Sequence, residues 1–501
     1  MGFRLGRRSF LALAAGAGAT AVGAALFGGS GIGDRRPGSA AAATASSGVR
    51  SSGGLLQLDL VAQETAVQIP GGPATALTYN GLLPGPLLEV EPGDRVRIRL
   101  HNRLDRPTNL HYHGLHIPPG GNADNVFLSV APGATQDYGF TIPTDHPAGT
   151  FYYHPHRHGT VADQVFGGLG GVLIVRGALD RIPEVQAARE QVLFLKDLPG
   201  EGGIFAMGAG MGPGRMLGRE GPVLTVNGQV NPSLAIPAGG LVRLRIVNGS
   251  NARFWRLALE DHPFHLIATD GGALAEPVEL RELLLAPGER ADVLVRGDRQ
   301  SGSYRLLNLP TVRGGLGMMG GMGPGMGMGP GWRGGRGRGG FPDGESAAVI
   351  ATLAYEGAVA PLPLPSRLLP VAPLPDPART RRFVLDHGMA PGMGMVFLIN
   401  GRAYEHGRVD TRVRLGDTEE WEIVNAGVMD HPFHVHINPF QVVSRGGRPE
   451  PFLAWKDVVI VRAGETVRIR TRFADFAGRT VYHCHILDHE ELGMMGVLEI
   501  T

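Results

Sequence analysis

Cysteine is almost absent from this chain. A single one, Cys484, occurs among 501 residues, so no intrachain disulfide can form. Neither sign of charge is in excess: 47 Lys and Arg stand against 46 Asp and Glu, a formal net charge of +1. That removes the electrostatic reason to expect nucleic acid or an acidic partner. Beyond the N-terminal segment no run is long and apolar enough to span a bilayer, and no long stretch keeps a helical period. Glycine, by contrast, is abundant at 78 residues, with 38 prolines. This is the composition of many short strands joined by tight turns. At this length two or three domains are expected.

The N-terminus reads GRRSFLALAAGAGATAVGAALFGG, with Arg7 and Arg8 directly before a Gly- and Ala-rich apolar stretch. The pattern is that of a twin-arginine export signal, and Ala43-Thr44-Ala45 offers an A-x-A cleavage site. Residues 1–45 are therefore expected to be a signal peptide read by the twin-arginine machinery. The protein is then periplasmic or otherwise extracytoplasmic, without stable membrane insertion. An uncleaved anchor is the competing reading.

Three segments repeat a pattern. TYNGLLPGP (78–86) precedes EPGDRVRIRLHN, TVNGQVNPS (225–233) precedes IPAGGLVRLRIVN, and LINGRAYEH (398–406) precedes RLGDTEEWEIVN. Each has an Asn-Gly turn followed by a strand of alternating polarity that ends in Asn, 22, 21 and 25 residues after the first Asn. The reading is all-β, with three Greek-key domains over 50–178, 179–365 and 366–501. The pentad DHPFH occurs at 261–265 and again at 430–434. Its two copies read as corresponding places in repeats two and three.

Histidines carry the chemical signal. Of 18, eight form four HxH pairs: His111 and His113, His154 and His156, His434 and His436, His483 and His485. Residues i and i+2 of a strand share a face, so each pair offers two imidazoles to one metal or to two adjacent ones. Two pairs come from the first repeat and two from the third, which places their site between those domains. Cys484 points the opposite way from its flanking histidines. His431, three residues before His434, also falls on the other face. With His489 these make a His₂Cys set, and Met494 supplies a candidate axial thioether, the donor set of a blue-copper electron-transfer site. Zinc is the competing metal for a lone His/Cys site, but it has no use for eight more imidazoles next door. His158 shares the parity of His154 and His156 and is read as a supporting residue. His262 and His265, with no thiolate or HxH beside them, are read as packing or hydrogen-bonding residues.

The motifs HYHG, HPHRHG, HPFHVH and HCHILDHEELGMM resemble those of the multicopper oxidases, specifically bacterial laccases and cuprous oxidases, over Asn80 to Met495. The resemblance implies three cupredoxin-like β-sandwich domains and four coppers per chain. One type 1 copper would be held by His431, Cys484, His489 and Met494, and the type 2 by His111 and His434. The two type 3 coppers would be held by His113, His154 and His485 and by His156, His436 and His483. It further implies acidic proton donors near the cluster, matching Glu490 and, more loosely, Asp124. The reaction implied is one-electron oxidation of a small reductant coupled to reduction of dioxygen to water by a monomer. Tyr112 stands where the family often has Trp.

Eleven of the 15 methionines lie in Gly-rich stretches: Met207, Met211 and Met216; Met318, Met319, Met322, Met326 and Met328; Met389, Met393 and Met395. Thioethers favour Cu(I), so the last two groups are the candidate substrate site. A low-complexity insertion is the alternative. GWRGGRGRGG (331–340) looks like an RGG segment, but export makes a nucleic-acid partner unexpected. Three functions compete: a cuprous oxidase serving copper tolerance, a laccase for phenols and aromatic amines, and an exported copper-binding protein or copper-free scaffold without activity.

Overall fold

The computed structural model describes residues 48–69, 72–200, 217–311, 313, 347–390 and 394–501. The signal segment expected at 1–45 lies outside them, as do Met207, Met211, Met216, Met318, Met319, Met322, Met326, Met328 and Met393. No helix among the described residues is long and apolar enough to cross a membrane.

Among the described residues six sheets pair into three sandwiches. In the first, strands Val49–Arg50, Leu88–Val90, Gly171–Val175, Gly149–His154 and His111–His113 lie side by side in that order, opposite Gly72–Tyr79, Leu55–Ile69, Arg95–Asn102 and Thr135–Thr141. Arg95–Asn102 shows why: its residues alternate exposed and buried, with Val96, Ile98 and Leu100 facing the core. In the second, a six-stranded sheet runs Val223–Val226, Arg189–Leu198, Leu241–Asn248, Arg290–Arg296, Phe264–Thr269 and Gly272–Leu280. It packs on Ser233–Ala238, Ala348–Ala358, Ser303–Leu309, Trp255–Leu259 and Leu283–Leu285. In the third, the main path is Gly394–Ile399, Arg379–Ala390, Thr418–Asn425, Thr466–Arg472, Phe440–Arg445 and Arg448–Pro449. Its partner sheet is Thr411–Val413, Met495–Ile500, Gly478–Cys484, His431–Val435 and Val458–Val461.

The repeated asparagines have a structural cause. Asn80, Asn227 and Asn400 take φ of 55°, 53° and 53°, and the glycine after each takes 73°, 75° and 72°. Positive φ at both central positions is the two-residue hairpin turn that matches strand twist, and Asn-Gly is its preferred sequence. Each of these asparagines also binds across the sheet: its side-chain oxygen accepts from Val61, Phe194 or Val384 N–H at 2.6–2.8 Å. The asparagines ending each repeat act alike. Asn102, Asn248 and Asn425 each donate to two backbone carbonyls and accept one N–H, at 2.7–3.0 Å. They pin the loop that leaves the core strand.

The two DHPFH copies, in contrast, do not correspond. His431–Val435 is the fourth strand of its five-stranded sheet, and the fourth strand of the matching second-sandwich sheet is Trp255–Leu259, which has no histidine. The pentad at 261–265 instead leads into Phe264–Thr269, fifth in its sheet, the place held in the third sandwich by Phe440–Arg445. Its structural counterpart is Ile437-Asn438-Pro439-Phe440-Gln441. Asp261 and Ile437, at the head of the two segments, are both left-handed, with φ of 57° and 68°. The shared Pro-Phe belongs to strand entry after this turn.

Asn425→Ala removes three buried hydrogen bonds at once and leaves their partners unpaired. It should lower stability by roughly 1–3 kcal/mol, read as a shift of the urea midpoint at unchanged slope.

Candidate metal centre

Two donor groups meet where the strand Gly478–Cys484 ends. On one face Cys484 is fully buried in the third core. Its Sγ lies 3.5 Å from His431 Nδ1 and 3.6 Å from His489 Nδ1, and those two nitrogens are 3.2 Å apart. His431 comes from the neighbouring strand, where Phe433 pairs with Cys484, and His489 from the short helix Leu487–Glu491. Phe397 stacks on His489 at 3.9 Å between centroids. Met494 is fully buried in the same core, and its carbonyl accepts from the Cys484 N–H at 3.0 Å. Burial pushes the Cys484 thiol well above its ordinary range, so a thiolate here needs a cation beside it.

On the other face the eight HxH imidazoles converge between the first and third sandwiches, each no more than 2 % exposed. Rings of the two sandwiches interleave: His111 stacks on His436 and His113 on His434, each pair 4.0 Å between centroids. His483 Nε2 lies 3.1 Å from His156 Nε2 and 3.0 Å from His436 Nε2. His485 sits 4.9 Å from His113 and 5.6 Å from His154, ring to ring. Burial drives the pKa of all eight down, that of His154 to about 4 and that of His434 to about 3. At neutral pH they are uncharged Lewis bases.

The outer nitrogens are held. His111 Nδ1 donates to Asp124 at 2.9 Å, His154 Nδ1 to the Pro155 carbonyl at 2.8 Å, and His483 Nδ1 to the Cys484 carbonyl at 3.0 Å. His113 Nε2 donates to the Asp457 carboxylate at 2.9 Å, and His434 Nδ1 to the Asp457 carbonyl at 2.7 Å. The Tyr152 hydroxyl lies 2.9 Å from His485 Nε2. Opposite these bonds His111 Nε2, His113 Nδ1, His154 Nε2, His434 Nε2 and His485 Nδ1 are buried without a partner. A donor bond on one ring nitrogen fixes the tautomer and leaves a lone pair on the other, the arrangement of metal-ligating histidine. The residues fit a metal, and neutral imidazoles beside a His₂Cys set suit copper.

Family models described as multicopper oxidase match residues 61–179, 209–317 and 375–501. Multicopper oxidase mco of Staphylococcus epidermidis is 30% identical over 437 residues, covering 85% of this chain and 84% of that one. The chain belongs to the multicopper oxidase family. Its fold superposes on the multicopper oxidase of Campylobacter jejuni, described as a metallo-oxidase, with a TM-score of 0.75 and 29% identity over 90% of this chain and 92% of that one. Another relative is the cell division protein FtsP of Dickeya dadantii, 31% identical over 438 residues and 84% of each chain.

In this multicopper oxidase the acidic candidates both lie against the histidines. Asp124 is buried, accepts from His111 and from the Tyr112 N–H, and burial raises its pKa to about 8. Glu490 is fully buried, its carboxyl oxygens 3.2 Å from His483 Nδ1 and 3.7 Å from His156 Nδ1, and burial holds it far above the carboxylate range. Three residues went unread in the sequence: Asp457, Tyr152 and Arg290, whose guanidinium grips Asp457. None sits in a motif, and each reaches the cluster from a different sandwich. A period-2 run YYH before the second HxH was the one available signal, since it puts Tyr152 on the face of His154. His158 packs against Tyr404, ring centroids 4.6 Å apart and planes tilted by 59°. Both nitrogens of His262 are hydrogen-bonded, to the Glu260 carbonyl and the Tyr355 hydroxyl. Among the described residues neither His262 nor His265 joins a metal-binding donor group.

The sign of the pH dependence follows. Unfolded imidazoles take up protons near the ordinary 6.5, folded ones only near 4 for His154 and 3 for His434. Between those values the unfolded chain binds more protons, so stability falls as pH drops through the window. The metal-free protein should show a melting temperature that declines steadily from neutrality to about pH 4. With copper bound the decline should start at lower pH, because metal competes for the same lone pairs.

Proposed function

We propose that the chain is an exported oxidase that couples one-electron oxidation of a small reductant, Cu(I) in the first place, to reduction of dioxygen to water. The observation that carries this is the complete set of eight neutral, inward-facing imidazoles one residue away from a buried His₂Cys group. The ligands would be divided as the family resemblance implies. His431, Cys484, His489 and Met494 hold type 1 copper, and His111 and His434 hold type 2. His113, His154 and His485, and His156, His436 and His483, hold the type 3 pair. Bound copper supplies electron uptake at the first group and four-electron reduction of dioxygen at the second.

The protein's own part is positioning and protons. Cys484 is joined by one peptide unit to each of His483 and His485, the shortest covalent path between the groups. Glu490 keeps its proton at a carboxyl with no hydrogen-bond partner on either oxygen, beside His483 and His156, where reduction of oxygen consumes protons. Asp124 holds the His111 tautomer. Glu490→Gln should slow oxygen reduction roughly 100-fold or more while leaving the colour of the Cys484 site intact. Unchanged turnover with every reductant would remove Glu490 from the mechanism.

Cu(I) as reductant is supported by a path to the surface. Met389, 76 % exposed, pairs across its hairpin with Met395, and His387 pairs with Phe397. These four share one sheet face, and Phe397 stacks on His489. The similar Campylobacter jejuni protein is described as a metallo-oxidase. A laccase acting on phenols and aromatic amines would use the same copper apparatus. The FtsP relative raises a third reading, a part in cell division without oxidase activity, which the intact donor set speaks against. The twin-arginine pattern supports export, a route that carries folded proteins.

Oxygen uptake by the copper-loaded protein, with Cu(I) and a simple phenol compared before and after deletion of 316–329, separates these readings. Cu(I) should be the better donor and the deletion should harm it selectively. Phenol preference would make the protein a laccase. A colourless protein that takes up no copper would sink the oxidase reading.

A further inference from the structure

Among the described residues the second sandwich gives no ligand to either donor group, yet its Arg290 stands at the wall of the eight-histidine cluster. Arg290 opens the strand Arg290–Arg296 and is 1 % exposed. All five of its N–H groups are used. Nε donates to the Thr150 carbonyl at 3.0 Å. Nη1 donates to the Gly288 carbonyl at 3.0 Å and Asp457 Oδ1 at 2.7 Å. Nη2 donates to the Asp270 carbonyl at 2.8 Å and Asp457 Oδ2 at 2.6 Å. Thr150 lies on the strand that carries His154, so one guanidinium binds all three sandwiches.

Asp457 transmits this hold. Its carboxylate takes the His113 Nε2–H, and its carbonyl takes the His434 Nδ1–H. The two rings so fixed are stacked on each other, one from each sandwich. The packing leaves no slack: at Gly114, with φ of 86°, a Cβ would stand 2.3 Å from Arg290 Nη2 and 2.6 Å from Asp457 Oδ2. Only a flat, forked cation makes two parallel bonds to a carboxylate while feeding three carbonyls around it.

We propose that Arg290 is a positioning residue for the eight-histidine metal site, setting through Asp457 the orientation and tautomer of His113 and His434, and that this is how the sandwich without ligands takes part in holding copper. The proposal rests on the copper reading above. Outer partners of ligating histidines are worth roughly 10–100-fold in metal affinity.

The test compares copper-reconstituted wild type with Arg290→Gln and Arg290→Lys. It reads copper retained against a chelator, the electron paramagnetic resonance of the cluster, and the thiolate absorption of the Cys484 site. Arg290→Gln should lose cluster copper roughly 10–100-fold more readily with the thiolate band unchanged. Arg290→Lys should recover part of the difference, since an ammonium keeps the charge but not the fork. Equal retention in all three, or parallel loss at both sites, overturns the proposal. Should Arg290→Gln fail to fold, Asp457→Asn, which keeps the shape and weakens the same link, is held to the same outcomes. Wild type that takes up no copper fails the copper reading itself, which the wild-type arm alone reveals.

Discussion

Along the end of the strand Gly478–Cys484, successive side chains leave on opposite faces. His483 and His485 therefore enter the cluster between sandwiches, while Cys484 enters the core of the third. Two donor groups of different chemistry are thus held one residue apart by backbone geometry alone. Everything else answers to that alternation. His431 and His434 on the paired strand repeat it, and the first sandwich, with its own HxH pairs, must close over the imidazole face. The helix Leu487–Glu491 returns the chain so that His489 reaches Cys484 and Glu490 reaches His483.

Collecting eight imidazoles in a dry interface has a cost in polar groups that water no longer serves. The molecule meets it asymmetrically. In His111, His113, His154, His434 and His485 the outer nitrogen is paired with a carbonyl, a carboxylate or a tyrosine, and the inner one is left bare. Burial keeps the rings neutral, so they do not repel one another at working pH. The charges that do occur nearby come in opposed pairs, Arg290 with Asp457 and Lys456 with Asp270 and Glu289. The three sandwiches supply rigidity: strand ladders set the ring positions, and the asparagines at the ends of each repeat keep the connecting loops from shifting them.

What could be read in the sequence was whatever depends on local period. Alternation in RVRIRLHN, the Asn-Gly turns and the parity of each HxH pair gave the strands, the three repeats and the two faces around Cys484. The pentad misled for the same reason. DHPFH looks like a unit, but a five-residue identity is blind to which strand it enters, and hydrogen-bonded order places its two copies on different strands. Asp457 and Arg290 were illegible because their importance lies in a meeting between strands from separate sandwiches. Nothing in AWKDVV or GERADV separates them from ordinary strand residues. The methionine stretches carry a chemical signal with no period, and most of them fall outside the described residues.

The residues proposed to hold copper come from two segments, 111–156 and 431–494, with the second sandwich between them in the chain. The consequence is one of order in time. No subset made early amounts to the finished site, because every close group of cluster rings draws on both segments or remains open on the side the other must fill. Contacts so distant in sequence form late, after their loops have closed. The eight-histidine cluster is therefore a reporter of completed assembly: metal held by rings of both segments would certify that the first and third sandwiches have docked, whereas the His₂Cys group, built within the third sandwich alone, carries no such information.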